Sequence, residues 1–160
     1  MAVAIEAKIK IREPQVVAFI AMKGPYSLIG EAFGRLRTWI ADEGYIPALP
    51  PVGVYLNSPK QVPPEELLWE LQIPVVGDAD PTEPDEQGCG FKQLEEATLA
   101  TVEHQGAYDQ VKASFGALRG WIAENGYEIV GPPEEAYLSR IEDAPPQELL
   151  TEVRFPVRKA

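Results

Sequence analysis

The sequence predicts an α+β fold: a pseudo-twofold duplication of a βαββ unit, with an antiparallel sheet of about eight strands, two helices on one face and a cleft between the repeats. Three observations predict it. The segment Gly24 to Val75 recurs from Gly106 to Val157 at a constant offset of 82 residues, with 23 of 52 positions identical. Each copy opens and closes on short runs rich in β-branched and aromatic residues. Between those runs lies a stretch with apolar residues stepping by three and four.

The repeat sets the domain organisation. The tryptophans Trp39 and Trp121 keep the offset, as do Tyr26 and Tyr108, Gly44-Tyr45 and Gly126-Tyr127, and Pro74-Val75 and Pro156-Val157. Identity at this level marks an internal repeat. We expect one domain over residues 1–160, with repeat one at about 5–76, an acidic loop at about 77–90 and repeat two at about 91–158.

The elements follow in chain order. Ile5, Ala7, Ile9 and Ile11 alternate and predict a strand, of which Gly90 to Leu94 is a shorter counterpart. Val16 to Met22 and Thr98 to His104 read as strands ended by Gly24-Pro25 and Gly106. Ile29, Ala32, Phe33, Leu36 and Ile40 form a helical stripe, repeated by Val111, Phe115, Leu118 and Ile122. Gly44 and Gly126 stand where left-handed C-terminal caps belong, and Ser27 or Asp109 is the expected cap at the other end. Val52 to Asn57 and Ala136 to Ser139 are short strands, followed by Leu68 to Val75 and Leu150 to Val157.

Composition narrows the function. The net charge of −11 repels phosphate backbones, so nucleic acid is not an expected direct partner, whereas cationic ligands are favoured. Residues 78–86 concentrate the acidity in a run that reads as solvated loop. No apolar run reaches the roughly 18 residues of a membrane span, and the N-terminal residues lack a signal-peptide core, which predicts a cytoplasmic protein without membrane contact. The lone Cys89 and lone His104 offer no metal cluster, and no cofactor motif is present; both residues read as structural or incidental.

Strand parity then locates candidate chemistry. With Leu71, Ile73 and Val75 beneath one helix, Glu70 and Gln72 point the other way; with Val153, Phe155 and Val157 beneath the other, so do Glu152 and Arg154. Tyr55 and Tyr137 are out of phase with their apolar neighbours and are expected on the same helix-free face. A carboxylate beside aromatic walls suits organic cations. Trp39 and Trp121 read as core edge or pocket wall, and Trp69, by its parity with Leu71, as core. Arg37 and Arg119 read as surface contacts.

His104-x-Gly106-x-Tyr108 before a helix, the helix and its end from Phe115 to Tyr127, the Pro-Pro turn, and the closing Glu152 to Val157 resemble the GyrI-like small-molecule-binding family. That family includes effector-binding domains of AraC-type and MerR-type drug-sensing regulators and stand-alone proteins named for gyrase inhibition. The resemblance spans about Ile5 to Arg158, with Met22 replacing the histidine in the first copy. It implies a ligand cleft between the repeats, lined by aromatics, with Glu152 at the position of the drug-binding glutamate and Glu70 as its symmetry mate. The wall residues it favours are Tyr55, Tyr137, Tyr26, Tyr108, Trp39 and Trp121.

Three functions remain open. The leading one is a stand-alone binder of lipophilic or cationic aromatic compounds, for sequestration or sensing. The second, implied by the resemblance, is a hydrolase opening cyclopropane-type DNA-alkylating compounds, with Glu152 or Glu70 as acid or base. The third is an interaction protein that contacts a topoisomerase.

Overall fold

A computed structural model of the chain describes residues 6–106, 111–139 and 149–160. The expectations for Tyr108 and for Asp109 as a helix cap lie outside the described residues. The chain divides into two compact units. One is contiguous, Pro14–Glu95; the other is split, joining the segment up to Glu13 to Glu96–Ala160.

In the contiguous unit the elements are β2 (Gln15–Lys23), α1 (Ile29–Asp42), β3 (Ile46–Pro47), β4 (Val52–Tyr55), β5 (Leu68–Val76) and β6 (Cys89–Leu94). The split unit holds β1 (Lys8–Arg12), β7 (Ala97–Gln105), α2 (Lys112–Glu124), β8 (Tyr127–Ile129), β9 (Glu134–Tyr137) and β10 (Leu150–Lys159). The described residues thus form ten strands and two helices, an α+β fold, rather than about eight strands. The additional two are β3 and β8, short runs just after the Gly-Tyr pairs that add to β5 and β10.

All strand pairs within the units are antiparallel, in the orders β6-β2-β5-β4 and β1-β7-β10-β9. The 82-residue offset governs register too: Val17 faces Pro74 as Leu99 faces Pro156, and Met22 faces Trp69 as His104 faces Thr151. The edge strands are crossed relative to the sequence. β1, which precedes the first copy, pairs with β7 of the second, while β6, which precedes the second, pairs with β2 of the first.

Each helix forms where the apolar stripe predicts it. Ala32, Phe33, Leu36 and Ile40 are the buried residues of α1, and Leu118 and Ile122 those of α2. Gly44 and Gly126 end them with φ of 82° and 79°, a left-handed conformation that a side chain would strain. The Gly44 and Tyr45 amides bond back to the carbonyls of Ala41 and Ile40. Ser27 is not a cap: it lies inside a single 3-10 turn, Tyr26–Leu28, and α1 follows it with Leu28 at the cap position and no side-chain bond. Continuing helical backbone from that turn leaves no extended residue there to bring a hydroxyl back onto the first amides.

In the split unit Ala100, Val102, Val111, Leu118, Ile122, Val153, Phe155 and Val157 make one core cluster, with Phe115, Trp121 and Tyr127 packed against it. The contiguous unit buries Ala18, Ile20, Leu36, Ile40, Leu71 and Ile73 to 2% exposure or less. Each of these leucine and isoleucine side chains contributes roughly 1.5–3 kcal/mol when removed from water. No helix among the described residues is long and apolar enough to cross a membrane.

Candidate functional site

Register fixes which side chains share a face. In the contiguous unit Ala18 stands opposite both Ile73 and Phe91, and Phe91 packs on Trp39 of α1 with ring centroids 4.9 Å apart. That is the helix face. The opposite face carries Phe19 beside Gln72, Ala21 beside Glu70, Val17 beside Lys92, and Val52 and Val54 beside Gln72 and Glu70. The split unit is built likewise: Val153 and Phe155 join the helix core, and Glu152 and Arg154 lie on the other face with Lys10, Arg12, Thr101 and Glu134.

Glu70 and Glu152 therefore take the faces that parity predicts, and each is held by a lysine. Lys92 Nζ lies 2.9 Å from both oxygens of Glu70, and Lys10 Nζ lies 2.5 Å from Oε2 of Glu152. These lysines obey the same offset, since 92 − 10 = 82. Both were missed in the sequence because they sit on β1 and β6, outside the aligned copies, where little but the lysine itself repeats.

The second partner of each glutamate differs. Gln72 donates an amide hydrogen bond of 2.7 Å to Glu70, whereas Arg154 ion-pairs with Glu152 at 3.4 Å and with Glu134 at 2.9 Å. Arg12 adds a further contact to Glu134 at 3.7 Å. Among the described residues Glu152 and Glu134 thus have two cations each, and Glu70 has one cation and a neutral amide.

The contiguous unit adds a recess over its carboxylate. Phe19, Ala21, Glu70, Lys92 and the loop residues Pro81 to Pro84 enclose an open space of about 450 Å³, within the range of small-molecule sites. Lys92 Nζ stands 4.4 Å from the Phe19 ring centroid, a cation–π contact. Phe19 was read only as part of a strand; its alternation with Ala18 and Ile20 was the signal that it faces away from the helix.

The predicted aromatic wall lies elsewhere. Tyr55 stands opposite Trp69, and Tyr137 opposite Thr151, so both tyrosines are on the helix face, not beside Glu70 and Glu152. The expectation failed because it assigned Val54 and Leu56 to the helix side; Val54 is buried on the other face, at 7% exposure, and Leu56 is exposed. Tyr26 packs edge-on against Tyr55 and Trp69. Trp69 is core, 1% exposed, with its indole N–H bonded to the Gly24 carbonyl. Tyr137 donates to Glu135. Trp39 and Trp121 are half-buried on the helices, Trp39 bonding Asp85 and Trp121 packing against the split-unit core. Arg37 and Arg119 lie over the Phe33 and Phe155 rings, each within its own unit.

The acidic run is more than solvated loop. The Asp85 carboxylate accepts bonds from the Gln87 and Cys89 amides and from the Trp39 indole, and Thr82 exchanges bonds with Phe91. The Cys89 amide chiefly, with the Gln87 amide and the Trp39 indole, holds the Asp85 carboxyl below its ordinary range against an opposing desolvation. Burial pushes the Cys89 thiol up to about 11, with Asp85 adding to the rise. His104 Nδ1 lies 3.0 Å from the Ser114 hydroxyl, tying β7 to α2.

A model described as the GyrI-like small molecule binding domain matches residues 6–158. A protein named DNA gyrase inhibitor from Erwinia billingiae (strain Eb661) is 29% identical over 152 residues, 93% of this chain and 95% of that one. The C-terminal domain of EcmrR superposes with a TM-score of 0.77 at 23% identity, covering 99% of this chain and all of that domain. The longer EcmrR chain in its DNA complex gives a TM-score of 0.82 at 20% identity over 97% of this chain, which spans only 58% of that one.

Proposed function

The chain belongs to the GyrI-like small molecule binding domain family, and from that premise we propose that it binds lipophilic, cationic aromatic compounds, by sequestration or as a sensing module, with Glu70 as the principal anion. The observation that carries this reading is the largely buried Glu70 carboxylate on the floor of a recess of about 450 Å³ beside the Phe19 ring. A flat cation gains Coulomb attraction from the carboxylate, cation–π contact from Phe19 and apolar burial against Pro81 and Pro84. The net charge of −11 favours its approach. Glu152, the residue singled out by the family resemblance, is the weaker candidate because Lys10 and Arg154 already compensate it.

A rhodamine dye titrated by fluorescence tests this. Binding should weaken about tenfold or more in Glu70→Gln, the loss of a charge-assisted contact, and change less in Glu152→Gln. Equal affinity of wild type and Glu70→Gln sinks the assignment.

A further inference from the structure

We propose that Lys92 is a tethered competitor for the ligand's positive charge and so determines which cations the contiguous unit accepts. This rests on the reading that the recess takes an organic cation against Glu70. Lys92 Nζ already occupies the place such a cation would need, 2.9 Å from both Glu70 oxygens and 4.4 Å from the Phe19 centroid. Its side chain is 36% exposed, against 13% for Glu70, and it reaches in from an edge strand on a flexible four-carbon stem. The ammonium can therefore swing to solvent while Glu70 stays put.

Selectivity follows from the exchange. A small alkylamine offers Glu70 nothing that Lys92 does not already offer at an effective concentration on the order of millimolar. A broad aromatic cation offers the same charge and also buries apolar surface against Phe19, Pro81 and Pro84. Gln72 keeps its bond to Glu70 throughout, so the carboxylate remains aimed while its cation changes. Lys10 stands in the equivalent place over Glu152, yet Arg154 remains on that carboxylate when Lys10 leaves, so its departure creates no comparable vacancy.

Calorimetric titration of the full chain with tetraphenylphosphonium, and with its anionic isostere tetraphenylborate, tests the proposal. Lys92→Met should bind tetraphenylphosphonium about tenfold more tightly, equivalent to 1.4 kcal/mol, and tetraphenylborate no better. Lys92→Gln, which keeps a donor toward Glu70, should behave in the same direction, and Lys10→Met should stay within about twofold of wild type. In the wild-type protein, tetraphenylphosphonium should speed acetylation of Lys92, read by mass spectrometry, and leave Lys10 unchanged. Unchanged or weaker binding in both Lys92 variants, or slower Lys92 acetylation, overturns the competitor role even where Glu70→Gln still weakens binding. If Glu70→Gln has no effect either, the cation site itself is wrong, and the competitor falls with it.

Discussion

Glu70 and Glu152 occupy the same place in the two units but stand in different surroundings: a recess of about 450 Å³ includes Glu70, and two cations flank Glu152. The split unit surrounds its glutamate with charges, Lys10, Arg154 and, through Arg154, Glu134 and Arg12. The contiguous unit surrounds its glutamate with Phe19, Val52 and Val54 and an ion pair to Lys92. The helix faces differ in the opposite sense: Trp69 fills the contiguous unit where the split unit has Thr151. In one unit the carboxylate is held within an ion-pair network, and in the other it lies beside apolar side chains, the setting on which the proposed cation site depends. The difference teaches that the shared Glu-Lys pair belongs to the architecture, and that its neighbours decide what the pair can do.

The largest expected effect tests the helix-face contrast. Trp69→Ala should cost about 3–5 kcal/mol in guanidinium unfolding, since it empties a fully buried site and removes the bond to Gly24. Thr151→Val should be neutral or stabilise by about 1 kcal/mol, because the Thr151 hydroxyl is buried with no hydrogen-bond partner among the described residues. A small loss at Trp69 would break the contrast. Next, Arg154→Met should cost about 3 kcal/mol by leaving Glu134 and Glu152 undercompensated, and Gln72→Met, its counterpart, about 1 kcal/mol. Similar losses in the same unfolding assay would show that the two faces are held alike.

A smaller effect separates the units by pH. The loop clamped by Asp85 lies in the contiguous unit. Its folded pKa is depressed, so it contributes stability above the unfolded value near 3.8, and that contribution is lost as pH falls through the lower folded value. Trp39 fluorescence, isolated by replacing Trp69 and Trp121 with phenylalanine, should shift as pH falls below the unfolded value near 3.8, and in Asp85→Asn it should not. The smallest effect concerns Cys89, which occupies the place of Ala7 in the split unit. With its thiol pushed to about 11, iodoacetamide at pH 8 should leave the native protein unlabelled and modify it only on unfolding. Rapid native labelling would mean that the loop opens readily.

Much of this was legible in the sequence, for physical reasons. The repeat, both helices, the glycine caps and the faces of Glu70 and Glu152 follow from local periodicity and backbone chemistry. Tyr55 and Tyr137 were misplaced because parity needs to know which face is buried, and in β4 the face without a helix is buried as well. Lys10 and Lys92 escaped because their strands pair across the repeat boundary, a choice that depends on contacts far apart in sequence. Asp85 looked like one acid among many, since its three donors converge on it only after folding.

The crossed edge strands also set an order of events during synthesis. Once residue 95 has left the ribosome, β2, α1, β4, β5 and β6 are all present, and the contiguous unit can close. β1 has been made by then but has no partner until β7 emerges, and Lys10 meets Glu152 only across 142 residues of chain. In the folded unit β1 stands at the outer edge of the order β1-β7-β10-β9, where a strand's unpaired amides invite pairing with another chain. Its Lys8, Lys10 and Arg12 give it the charge that keeps such an edge from pairing with its own kind. The lysine that anchors a buried carboxylate also carries part of the charge that guards this edge.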